Sequence, residues 1–161
     1  MRRVIGIDPG IDTTGYGIVR QDNSRQEALA YGTVSPPRRK TIYERLAFLY
    51  DDITRVIQEY RPLEMAVEEA FFSKNARTAL ILGQARGVVL LAGAHQQLHC
   101  FEYSPRKIKM SVVGNGNASK SQVQYMVTSL LSLDEAPQKF DITDALATAL
   151  CHLNQSRNLL T

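Results

Sequence analysis

The stretch Val4-Ile5-Gly6-Ile7-Asp8-Pro9-Gly10 constrains the chain more than any other, because it ends a short apolar, β-branched run on a carboxylate. Val4, Ile5 and Ile7 read as a buried strand. Pro9 removes a backbone donor and Gly10 supplies a permissive backbone, so the strand should stop just after Asp8. An acid at such a strand end faces a rim rather than a core. Alone, Asp8 does no more than open an Asp-Pro-Gly turn. A chemical role requires other carboxylates to converge on it.

Residues 14–20 and 28–34 read as two further strands joined across a polar connection at 21–26, an antiparallel start to an α/β pattern. Ser35-Pro36-Pro37 and the triplet Arg38-Arg39-Lys40 end that portion. Thr41 with Glu44 is a capping-box signature for a helix that carries Leu46, Leu49, Ile53, Val56 and Ile57 on one face and breaks at Arg61-Pro62. Met65-Ala66-Val67-Glu68-Glu69 is another short strand ending in acid, followed by Phe71-Phe72 and Lys74. Paired aromatics are usually core, but beside a base and an acidic strand end they also suit stacking on nucleobases. A long helix over 75–98 is apolar around most of its circumference, which predicts burial on more than one side; Ala79, Gly83 and Gly87 form a smooth ridge for close approach by another helix or a second subunit. A fifth strand at 99–103 precedes a short helix opened by Ser104-Pro105, a Gly114-Asn115-Gly116-Asn117 loop, and a helix capped by Ser119. In the last helix Asp141 and Asp144 share a face.

Carboxylates thus end two strands and occupy one face of a C-terminal helix. Such acids repel strongly on one rim unless cations lie between them. Oxygen-only donors suit hard divalent ions, and no Cys or His cluster competes for zinc. Two Mg²⁺ ions about 4 Å apart can orient a water for attack on a phosphodiester and stabilise the leaving oxygen. The charge distribution agrees: residues 1–69 hold 10 Lys+Arg against 11 Asp+Glu, whereas 70–161 hold 9 against 5. Arg38-Arg39-Lys40, Lys74, Arg77, Arg106, Lys107, Lys109 and Lys120 are candidates for phosphate contacts.

Five motifs in order, Gly6 to Gly10 with Thr14-Gly15-Tyr16-Gly17, Ala66-Val67-Glu68 with Phe71, Leu82 to Gly87, Val113-Gly114 to Val123, and Asp141 to Ala147, resemble the bacterial RuvC Holliday-junction resolvases over essentially the whole chain. The resemblance implies an α/β RNase H-like fold, a five-stranded mixed sheet flanked by α-helices, in a single nuclease domain over residues 1–161. It implies a homodimer making symmetric cuts in four-way junction DNA, in homologous recombination and repair, with RuvA and RuvB as branch-migration partners. Carried over by position, Asp8, Glu68, Asp141 and Asp144 match the four acidic ligands of two Mg²⁺ ions, for which Mn²⁺ can substitute. Glu68 is chosen over Glu69 by its spacing to Phe71. Phe71 matches an aromatic that stacks in the junction, with Phe72 as its deputy. Lys109 and Lys120 match basic positions near the scissile phosphate, and Lys74 and Arg77 join them as DNA contacts.

Rival readings remain at this point. Sugar kinases and actin-like ATPases share the opening strand-turn but need a duplicated domain that 161 residues cannot supply. Another RNase H-like nuclease acting on RNA, or an inactive junction-binding protein, would share most of the motifs. Cys100 and Cys151 lack any paired-ligand spacing and read as reduced residues of a cytoplasmic protein, and no apolar run suggests a membrane partner.

Overall fold

Alternation along the first strand decides the architecture. In the computed structural model of the chain, which describes residues 1–69 and 75–157, β1 (Arg2–Asp8) is the middle of a five-stranded sheet. The order is β3-β2-β1-β4-β5, with β2 (Thr14–Asp22), β3 (Arg25–Val34), β4 (Glu64–Glu68) and β5 (His99–Tyr103). β1, β2 and β3 pair antiparallel in succession, while β4 and β5 run parallel to β1, so the sheet is mixed as expected. Ile5 and Ile7 project into one apolar layer with α1 (Ile42–Tyr60) and α2 (Ala76–His95). Val4 projects into the other, with α3 (Pro105–Val113), α4 (Lys120–Leu130) and α5 (Phe140–Arg157). With a period of two, Gly6 and Asp8 must share the face of Val4, which is the α5 face.

Local chemistry explains the element ends. Thr41 and Glu44 form the capping box anticipated for α1, which buries Leu49, Ile53 and Ile57 and closes at Arg61 with φ of 49°. Asn75, Ser104 and Ser119 cap α2, α3 and α4 through side-chain oxygens. The β2–β3 hairpin is tighter than the polar stretch 21–26 suggested: the strands run to Asp22 and from Arg25, because Asn23 takes a left-handed φ of 54° that completes a two-residue turn. Polar composition alone does not show how far a ladder extends.

α2 carries the small-residue ridge expected to meet another helix or a second subunit. It buries one side through Ala85, Val89 and Ala92, and its other side is not covered by the described chain: Leu80 is 70% and Leu91 47% exposed, and a Cβ on Gly83 or Gly87 would meet nothing. By length and composition α2 is the one helix among the described residues able to cross a membrane.

α5 crosses the sheet in very close contact. A Cβ on Gly6 would overlap the Ala145 carbonyl and stand 2.7 Å from the Ala149 nitrogen, one on Gly15 would overlap the Asp141 carbonyl, and one on Gly17 would stand 2.8 Å from Leu146 Cγ. At its far end α5 is anchored by buried His152, whose Nδ1 shares a hydrogen bond of 2.7 Å with the Tyr103 hydroxyl and whose Nε2 lies 3.0 Å from Glu64, itself paired with Arg2 at 2.6 Å. Burial pushes the His152 pKa down against the pull of Glu64. Gly6→Ala is therefore expected to destabilise the chain by about 1–3 kcal/mol through overpacking, read as a lower denaturation midpoint.

Candidate active site

Strand register brings the first two acids together. Ile7 is level with Val67 across the parallel β1–β4 pair, so Asp8 and Glu68 are the next residues of adjacent strands, one step beyond. Ala66 and Val4 lie on the α5 face while Met65 and Val67 lie on the other, so Glu68 projects to the same side as Asp8. Glu69 points the other way and is exposed; its backbone N–H donates to the Tyr103 carbonyl at 2.9 Å. Pro9-Gly10 ends the strand and turns the chain away, with the Thr14 hydroxyl donating to the Gly10 carbonyl at 2.6 Å. The carboxylate of Asp8 is left half-buried at the strand end.

α5 delivers the third acid. Asp8, Glu68 and Asp144 each present an oxygen within 4.8 Å of those of the other two. Asp141, one turn earlier, is not part of this trio, but its charge is close enough to raise both Asp8 and Asp144. The Asp141 carbonyl sits where Gly15 has no side chain, which ties the first turn of α5 to the sheet.

The electrostatics follow from that crowding. Burial, then the charges of Glu68, Asp144 and Asp141, push Asp8 up to about 8, with Lys120 opposing. Burial and Asp144 push Glu68 up to about 7, against a hydrogen bond from Asp8 and the charges of Lys120 and Lys109. Burial is also the largest cause raising Asp144, and both lysines act against it. Lys109 on α3 and Lys120 at the start of α4 therefore flank the acids. A lysine in the first turn of a helix opposes the helix dipole, so Lys120 is explained by its neighbours rather than by its helix. Its ammonium lies 5.6 Å from the ring centre of Phe140, a cation–π contact that holds it beside the site. Sequence reasoning assigned Phe140 no role, because its position beside Lys120 exists only after α4 and α5 pack.

Arg77 is exposed in the first turn of α2, outside the carboxylate group. Phe71, Phe72 and Lys74 lie outside the described residues. Three crowded carboxylates with raised pKa values and no histidine or cysteine among them make a hard, oxygen-only donor set, which fits Mg²⁺ or Mn²⁺ better than zinc.

The profile for "Crossover junction endodeoxyribonuclease RuvC" matches residues 4–152. Among curated relatives, the protein of that name from Heliobacterium modesticaldum is 48% identical over 92% of this chain and 91% of its own length, and that from Halothermothrix orenii is 42% identical over 96% and 93%. The structure of Thermus thermophilus RuvC in complex with a Holliday junction substrate superimposes with a TM-score of 0.93 at 33% identity, covering 98% of this chain and 96% of that one.

Raised carboxyl pKa values carry a stability consequence. An acid that keeps its proton in the folded state up to about 8, against 3.8 as the ordinary value, favours folding below the ordinary value and loses that contribution as pH climbs to the folded one. With chelator present, Asp8→Asn should therefore melt above the parent chain at pH 8, the gap closing towards pH 4. Calorimetry across that range checks it. With millimolar Mn²⁺ the order should reverse, because only the parent chain retains the full ligand set.

Proposed function

The chain belongs to the RuvC family of crossover junction endodeoxyribonucleases, and from that premise we propose how its own residues cut DNA. It resolves four-way Holliday junctions by hydrolysing phosphodiester bonds, in recombination and repair. The observation that carries the site assignment is the convergence of Asp8, Glu68 and Asp144 within 4.8 Å at the rim of the sheet. These three, with Asp141 completing the charge, hold two Mg²⁺ ions, for which Mn²⁺ substitutes. Divalent ions held there supply Lewis-acid stabilisation of phosphate charge and lower the pKa of water into the neutral range.

The protein's part is positional and electrostatic. Asp8 and Glu68 retain protons near neutrality when no cation is present and give them up on loading. Lys120, kept at the rim by Phe140, offsets charge that grows on the scissile phosphate, and Lys109 holds the neighbouring backbone. Hydrolysis leaves a 5′-phosphate and a 3′-hydroxyl that a ligase can join. Phe71, with Phe72 as deputy, stacks on bases of the opened junction, and Lys74 and Arg77 contact the nearby backbone.

Two symmetric cuts need two sites, which a homodimer supplies. The uncovered side of α2, with Leu80, Gly83, Gly87 and Leu91, is assigned to the second copy rather than to a membrane. Small residues let two helices approach closely while the leucines supply apolar area. The working unit is one nuclease domain per chain over residues 1–161, acting in the cytoplasm with RuvA and RuvB.

Cutting of a synthetic four-way junction, beside linear duplex DNA and an RNA–DNA hybrid, tests the assignment. Paired nicks in the junction alone, dependent on Mg²⁺ or Mn²⁺, are expected; cutting of the hybrid would favour the RNA-directed alternative. Asp8→Asn should abolish cutting and leave junction binding intact, and full activity in that variant rejects the site. Leu80→Glu combined with Gly87→Arg should shift sedimentation to the monomer and turn paired cuts into independent nicks.

A further inference from the structure

One concentration of charge at this rim has no part in the mechanism above. β3 runs parallel to β1 through two antiparallel pairings, so residues 35–40 leave the sheet at the same end as Asp8. Arg38, Arg39 and Lys40 follow one another there, all exposed, and the Arg38 side chain is 82% exposed. Their acidic neighbours are already engaged. Glu44 caps α1 while lying 3.2 Å from Lys40, and Asp12 is 3.8 Å from Arg38 but is held at 2.7 Å by Arg45. Arg39 has no ion pair among the described residues.

The turn is not a loose tail. Arg45, only 13% exposed, reaches back from α1 to donate to the Ile11 carbonyl at 2.9 Å and to Asp12, and the Thr13 and Ser35 hydroxyls lie 3.4 Å apart. Ile11, Asp12 and Thr13 belong to the loop that follows Asp8. The segment that carries the three cations is thus tied on both sides, through Ser35 and Arg45, to the loop that follows Asp8. Consecutive exposed like charges repel, and a polyanion removes that cost.

We propose that Arg38, Arg39 and Lys40 form a second phosphate grip, separate from Lys109 and Lys120, on the duplex arm that leaves the cut on the β3 side. The proposal rests on the junction-cutting reading of the site. β3 is two strands from β1, about 10 Å at ~4.8 Å per strand, so at a rise of ~3.4 Å the end of β3 lies about three base pairs to the side of the cut, and Arg38, Arg39 and Lys40 follow that end after a short turn. It reads backbone charge, not sequence; the arginine forks suit bidentate contact with phosphate oxygens.

The test uses the full chain with the triple variant Arg38→Ala/Arg39→Ala/Lys40→Ala, and with Arg39→Glu, whose exposed site does not threaten folding. Junction binding is titrated against salt, on ordinary DNA and on DNA carrying neutral methylphosphonates three to five positions from the cut. The log–log salt slope should fall by about 0.9 for each phosphate that is no longer neutralised, up to about 2.7 for the triple variant. Neutral phosphates should weaken the parent chain but not the triple variant, while single-turnover cutting at saturating junction stays unchanged. An unchanged slope in both variants, or equal sensitivity of parent and triple variant to methylphosphonates, overturns the grip. A parent chain that binds junctions but never cuts them overturns the reading of the carboxylate site instead.

Discussion

Repulsion among three carboxylates is the constraint on which the rest of the structure turns. Two acids at adjacent strand ends come together at little conformational cost, because hydrogen-bonded parallel strands already hold their ends side by side. Adding Asp144 is harder, since a helix must lie unusually low on the sheet to reach them. Gly6, Gly15 and Gly17 make this possible by leaving room for the backbone of α5. The His152–Glu64–Tyr103 network fixes the other end of the same helix. The fold thus holds together charges that would otherwise separate, and a site arranged in this way has a standing affinity for cations.

The lysines show how that charge is balanced without being cancelled. Lys109 and Lys120 lower the carboxyl pKa values, yet Asp8 remains near 8 and Glu68 near 7. Full neutralisation by close ion pairs would fill the place a metal needs. An exposed ammonium at Lys120, steadied by an aromatic ring, also remains able to meet a phosphate. Incomplete pairing of the acids thus leaves room for a cation among them and an ammonium free beside them.

Much of this was legible in the sequence. The strand pattern through Asp8, the capping box at Thr41, the boundaries of β5 and the acidic end of β4 follow from periodicity, caps and breakers, which act over a few residues. The separation of Glu68 from Glu69 needed more: the resemblance chose it by spacing, and strand alternation gives the physical reason. Other features depend on packing between distant segments. No local pattern shows why Gly6 and Gly15 carry no side chain; the reason is α5 resting on them. Asp141 and Asp144 share a helical face in sequence, but the distance to β1 and β4 is what sets Asp144 in the trio and leaves Asp141 beside it. The apolar composition of α2 predicted burial on more than one side, and the described chain covers one of them, through Ala85, Val89 and Ala92, leaving the side with Leu80 and Leu91 open.

The central claim is that Asp8, Glu68 and Asp144 are held so close together that Asp8 and Glu68 keep protons near neutrality and exchange them for divalent cations. Calorimetric titration of Mn²⁺ into the metal-free chain at pH 7, repeated in buffers of different ionisation enthalpy, counts those protons directly. Release of about one proton on loading is expected, reduced in Glu68→Gln and greatly weakened along with binding in Asp8→Asn. Binding with no proton release, or binding and release unchanged in Asp8→Asn, would contradict the account.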